Sequence, residues 1–100
     1  MMCNTSGSDN SAYGSQSLCK NTTGSCNTAL GYQSLYYNTA GADNTAVGNH
    51  ALYCNTGTYN TAVGSQSLQC NTTGAKNAAL GYRALQRNTT GNSNTAVGYL

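Results

Sequence analysis

The chain contains no proline, no tryptophan, no phenylalanine and no glutamate, and its only charges are four basic side chains and two aspartates among 100 residues. Each scarcity excludes something. A surface that tracks phosphates needs clustered Lys and Arg, so no nucleic-acid partner is expected. With a single histidine, His50, and no glutamate, the chain has too few groups for acid–base chemistry. It is therefore expected not to be an enzyme, with no catalytic residue and no cofactor. Disordered chains usually carry high net charge or many Pro, Glu and Lys, and that composition is missing as well. No apolar run approaches the roughly 18 residues of a membrane helix, and the first residues lack the basic-then-apolar order of a signal peptide. Membrane insertion is not expected. The length allows one domain, residues 1–100, with a small conventional core.

What the chain has instead is repetition. The stretch from Asn60 to Gly74, N-T-A-V-G-S-Q-S-L-Q-C-N-T-T-G, recurs with little change from end to end, with copies starting at Asn4, Asn21, Asn38, Asn55, Asn71 and Asn88. The period is 17 residues, and only the copy at Asn55 is one residue short. Numbering columns from that first Asn, all 12 glycines fall in columns 4 and 11. Column 1 is Asn throughout, as is column 7: Asn10, Asn27, Asn44, Asn60, Asn77 and Asn94. Column 9 is always Ala. A fixed short period of this kind is the mark of a stacked-repeat architecture.

Asn, Gly and Thr form poor helices, and two glycines per copy leave no helix long enough to persist. The expected fold is all-β: a parallel β-solenoid of about six 17-residue coils, with strands about 4.8 Å apart and a rise of about 29 Å in total. Thr-Ala-Val and Gln-Ser-Leu each fit a short strand, while the Asn and Gly columns fit turns because both residues tolerate positive φ. Column 10 (Tyr13, Leu30, Val47, Val63, Leu80, Val97) and column 15 (Leu18, Leu35, Leu52, Leu68, Leu85) are expected to point inward. Strand alternation would then turn the Thr-rich column 8 inward too. The two Asn columns are expected to form side-chain amide ladders, as stacked Asn does in cross-β assemblies.

The ends bear on assembly. Joining the last residues to the first reads N-T-A-V-G-Y-L-M-M-C-N-T-S-G, close to the internal phrase. Head-to-tail contacts that do not close make fibres. The expectation is a structural subunit of an extracellular filament or fibre that stacks end to end; a fragment of a longer array is the alternative.

The N-T-A-V-G-x-Q-S-L-x-x-N-T-T-G phrase resembles the head repeats of trimeric autotransporter adhesins, and more closely the NTA-G/NTT-G arrays of phage tail-fibre shafts. The resemblance implies a left-handed parallel β-roll, often a homotrimer, displayed outside a cell or virion. It also implies a second function, an adhesin or shaft fragment that binds cell-surface glycans. The adhesin-head coil is shorter than this one, and no coiled-coil stalk, anchor or self-cleaving chaperone sequence is present. A third function is ice binding through a flat Thr-bearing face, which an inward column 8 would disfavour.

Few side chains remain as candidates for a site. Tyr36 and Tyr53 share column 16 with Tyr37 beside them, an aromatic stripe suited to sugar stacking or lateral packing; simple cross-strand pairing is the alternative. The cysteines number five, and Cys54 and Cys70 share column 17 of consecutive coils, within the Cα separation that a disulfide allows. No C-x-x-C occurs, so no metal site is expected. Asp9 and Asp43 read as solvated turn residues two coils apart, and His50 as a surface residue. Asn4, Asn21, Asn71 and Asn88 lie in glycosylation sequons, although the turn already accounts for each Asn-Thr pair.

Overall fold

The computed structural model describes residues 4–99. Among them there is no helix, and six short strands stack in chain order into one parallel sheet: β1 (Ser11–Tyr13), β2 (Thr28–Leu30), β3 (Thr45–Val47), β4 (Thr61–Val63), β5 (Ala78–Leu80) and β6 (Thr95–Val97). Register is strict. Ala12 pairs with Ala29, Ala29 with Ala46, and so on through Ala96, so every column of the sequence lies above itself in space. The molecule is a β-solenoid, with one repeat per coil.

The coil has one strand, not two. Gln-Ser-Leu forms a turn, and Leu at column 15 has positive φ, as Leu52 does at 52°. Its N–H still reaches the next coil, Leu18 N–H donating to Ser34 O at 3.0 Å and Leu35 N–H to Ala51 O at 3.0 Å. The ladder therefore continues around the turn without extended backbone. Positive φ also falls at column 6, as in Tyr59, and at column 13, as in Gln66, while the Asn columns keep negative φ. The expected positive φ is found at the column 11 glycines, as at Gly14 with 123°, but not at the Asn columns: Asn serves through its side chain here and not through its backbone freedom.

The interior corrects a second expectation. Column 10 faces outward, with Tyr13 and Val97 about three-quarters exposed at 77% and 76% and Leu30 and Leu80 at 43% and 50%. Column 8 faces outward with it. The inward strand residue is the Ala of column 9, and Ala29, Ala46, Ala62 and Ala79 are buried. They pack on Leu18, Leu35, Leu52 and Leu68, none of which is exposed at all. Space decides this. A 17-residue coil that already encloses a Leu and two Asn side chains has room for a methyl group at the strand but not for Val or Leu.

The glycines keep neighbouring coils close. At Gly31 φ is 130°, a conformation that L side chains rarely adopt. At Gly24 the obstacle is different: a Cβ would overlap the carbonyl oxygen of Gly41 and the Asn21 Oδ1.

Candidate functional site

The most elaborate chemistry of the molecule is structural, at the corner built by columns 1, 4 and 7. Asn38 Nδ2 donates to Asn21 Oδ1 of the preceding coil at 3.0 Å and to Gly41 O of its own coil at 2.8 Å. In column 7, Asn44 Nδ2 donates to Asn27 Oδ1 at 3.1 Å and to Gly57 O of the following coil at 2.8 Å. The Asn44 backbone N–H also donates to Asn27 Oδ1 at 3.0 Å. From Gly24 onward each column 4 carbonyl thus accepts from both ladders, as Gly24 O does from Asn10 Nδ2 at 2.8 Å and Asn21 Nδ2 at 2.9 Å. Asn21, Asn27, Asn38, Asn44, Asn55, Asn60, Asn71 and Asn77 are buried with all this polarity satisfied, the condition under which buried amides stop being a liability.

The ladders link Asn4, Asn21, Asn38, Asn55, Asn71 and Asn88 without a gap. Column 7 has one irregularity. In the short coil, Asn60 Nδ2 turns to Asn55 Oδ1 at 3.1 Å and not to Asn44, although its backbone N–H still donates to Asn44 Oδ1 at 2.9 Å. The sequon amides of Asn21 and Asn71 are buried and each donates twice, so the folded coil leaves neither free for a glycan.

The turn side carries the aromatic stripe. Stacked coils place the Tyr36 and Tyr53 rings face to face, with centroids 5.4 Å apart and planes 20° off parallel. Tyr37 meets both edge-on, at 4.8 Å from Tyr36 and 5.2 Å from Tyr53. His50, which the sequence left as an isolated surface residue, joins them: it lies 5.1 Å from Tyr53 and 5.5 Å from Tyr32, edge-on to each. Its Nε2–H donates to Gln33 Oε1 at 2.8 Å, and Gln33 in turn donates to Gln16 at 2.6 Å, a third ladder in column 13. His50 Nδ1 is buried with no hydrogen-bond partner. Burial, then a side-chain hydrogen bond that the Tyr53 hydroxyl donates to Tyr37, hold that hydroxyl above its ordinary titration range. The stripe is a mutually packed cluster in which Tyr36 and Tyr53 each turn one face to the other, and Tyr37 is the member of the predicted trio that stays exposed. A separate stacked pair, Tyr82 and Tyr99, has centroids 5.1 Å apart.

No family model, curated protein or solved structure matches this chain.

The remaining predicted side chains are distributed as follows. Among the described residues, no three of His, Cys, Asp and Glu come together to hold a metal, and Asp9 and Asp43 lie exposed at turns. No described helix is long and apolar enough to cross a membrane. Cys54 and Cys70 are half-buried, unlinked thiols on consecutive coils. Cys3 lies outside the described residues.

The charge map was legible in the sequence but gains meaning only from the coil. Asp9, Asp43 and Lys76 sit in column 6, Arg83 in column 13, and Lys20 and Arg87 in column 17. None falls in columns 8 to 10. The outer face of the sheet therefore combines a rank of Ser11, Thr28, Thr45, Thr61, Ala78 and Thr95 with the rank from Tyr13 to Val97, and bears no charge. This is the surface that sequence reasoning missed. The signal was available in column 10, whose side-chain size changes from copy to copy while column 9 stays Ala.

Proposed function

We propose that the chain is a rod module of an extracellular fibre, whose work is length and stiffness, and that copies of it associate through the outer face of the sheet. The observation that supports this reading is the uncharged strand face, a Thr-rich rank beside a largely aliphatic one, in a molecule that places every charge elsewhere. A second copy presents the same two ranks at the same rise of about 4.8 Å, so knobs of column 10 meet the spaces between knobs of column 10 without opposing charge. The interior favours a rod as well. Two ladders of asparagine side chains and one parallel sheet run along a single axis, and the outer edges of β1 and β6 offer the same register to a further coil from any chain. Axial stacking of this kind and a lateral homotrimer are both compatible with the face, and the resemblance to adhesin heads and tail-fibre shafts adds surface display.

The test is association against concentration. Sedimentation and electron microscopy should show lateral assemblies or fibres for the unaltered chain. A Val47→Lys, Val63→Lys variant should remain dispersed with unchanged circular dichroism. A chain that stays monomeric at every concentration, or a double variant that assembles like the parent, would reject the proposal.

One observation favours a second reading, ice binding. Column 8 points outward and not inward, so its Thr rank stands in the open beside an aliphatic rank, about 4.8 Å along the axis and about 6.7 Å across, a flat grid commensurate with rows of oxygen on ice. Ser11 and Ala78 interrupt it. Thermal hysteresis that disappears in a Thr45→Tyr, Thr61→Tyr variant is the expected result under this reading, and no hysteresis in the parent chain would dismiss it.

A further inference from the structure

Cys54 and Cys70 carry chemistry that none of the ladders uses. Both occupy column 17. Cys54 N–H donates to Gln69 O at 3.1 Å and Cys70 N–H to Gln86 O at 2.9 Å, which holds the two residues at the same point on consecutive coils. Coils about 4.8 Å apart place their Cα atoms inside the range of about 4.4–6.8 Å that a disulfide spans. Both thiols are half-buried and so within reach of a small oxidant. Cys26, by comparison, is stacked in column 6 with Asp9 on one side and Asp43 on the other, where no thiol faces it.

What the pair encloses sets it apart. Residues 55–70 are the one coil that is a residue short, and the irregularities of the ladders cluster there. The Asn55 Nδ2 to Asn38 Oδ1 link is stretched to 3.4 Å, against 2.7–3.0 Å at the other steps of column 1. The Asn60 amide is diverted to Asn55. At Thr22, Thr23 and Gly24 three successive N–H groups donate to the Thr39 carbonyl, and at Thr72 and Gly74 two donate to that of Thr89, whereas Thr56 alone of the short turn reaches Thr72 O.

We propose that Cys54 and Cys70 are a site of reversible disulfide formation, closed by exchange with a low-molecular-weight disulfide, and that the bond clamps the shortened coil to its neighbour. Cys70 opens the reaction: its thiolate attacks one sulfur of the small disulfide, a mixed disulfide forms, and one small thiolate leaves and takes up the proton that Cys70 gave up. The Cys54 thiolate then attacks the Cys70 sulfur of the mixed disulfide and expels the second small thiol. Two protein thiols are oxidised by two electrons, and the small disulfide is reduced to two thiols. Burial first and the adjacent Cys70 second hold the Cys54 thiol above its ordinary range, which disfavours it as the opening nucleophile. Side chains on stacked coils point the same way, so both must rotate to bring the sulfurs together. The bond carries strain and is readily reduced.

The experiment uses the full chain, reduced, then incubated with oxidised glutathione, alkylated, cut with chymotrypsin and mapped by mass spectrometry. The expected product is a peptide pair joined through Cys54 and Cys70, formed faster as pH rises. It should be lost in Cys54→Ser and in Cys70→Ser and retained in Cys26→Ser. Its urea midpoint should exceed that of the reduced chain and return on addition of dithiothreitol. Persistent glutathione adducts at both positions, or links mainly to Cys19, Cys26 or another chain, would overturn the proposal. It stands apart from the sheet-face reading: the Cys54→Ser variant should assemble like the parent, so failure of one test leaves the other intact.

Discussion

The asparagine corner and the outer face of the sheet run side by side along the same axis, yet they obey opposite rules. At the corner the residues are polar, buried and invariant; in column 10 of the face they are largely apolar, outward and changeable, with Tyr, Leu and Val all accepted. The usual inside-outside sorting is reversed at these two places. A buried amide is tolerable only when every donor and acceptor has a partner, and here each Asn is linked to an Asn of an adjacent coil and to a Gly carbonyl, of its own coil in column 1 and of the next coil in column 7, so no copy can change alone. An outward side chain answers to solvent or to another molecule, and its size is free to drift. In a coil this narrow, identity from copy to copy marks the interior better than hydrophobicity does.

The comparison is broken most severely by Asn44→Asp. The new carboxylate would face Asn27 Oδ1 and Gly57 O, both acceptors, in place of an amide that donates to each. At neutral pH the loss should be about 3–5 kcal/mol, the usual result of leaving a buried charge uncompensated. The folded-state pKa of this Asp would be raised, so the variant should be least impaired below the ordinary value of about 3.9 and should weaken as pH rises through the folded value. Urea denaturation at pH 7 and at pH 4 measures the difference. Equal loss at both would show that shape, and not the donor, is what the corner requires.

A paired truncation sharpens the same contrast. Leu52 is fully buried in column 15, and Leu52→Ala should cost about 2–5 kcal/mol. Val63→Ala on the outer face, where the side chain is only half-buried, should cost about 1 kcal/mol or less in the isolated chain. If dilution leaves the cost of Val63→Ala comparable to that of Leu52→Ala, column 10 is part of the core of a permanent assembly.

The smallest expected effect belongs to the aromatic cluster. Because the Tyr53 hydroxyl is held above the usual tyrosine value of about 10, the neutral form is favoured in the folded chain. That contribution is complete below about pH 10 and is lost as pH climbs through the folded value. Thermal midpoints above pH 10 should therefore fall less steeply for Tyr53→Phe than for the parent, and parallel pH profiles would show that the packed rings, and not the hydroxyl, matter there.

The period, the one-coil-per-copy stacking and the two asparagine ladders could be read from the chain, because strict recurrence of Asn10 to Asn94 and Asn4 to Asn88 has no cheaper explanation than vertical register. The aromatic trio was legible for the same reason, whereas His50 was not. It sits in column 13, and only the coil brings it beside Tyr53 in column 16 and Tyr32 of the preceding copy.

Sequence alone determined which residues lie above one another. Tertiary structure decided which of them face in. Alternation along Thr-Ala-Val allows either Ala, or Thr and Val together, to point to the axis, and nothing local chooses between those phases. The choice falls to volume: the closed coil must hold a leucine and two asparagines, and the strand that completes the ring has space left for one methyl group.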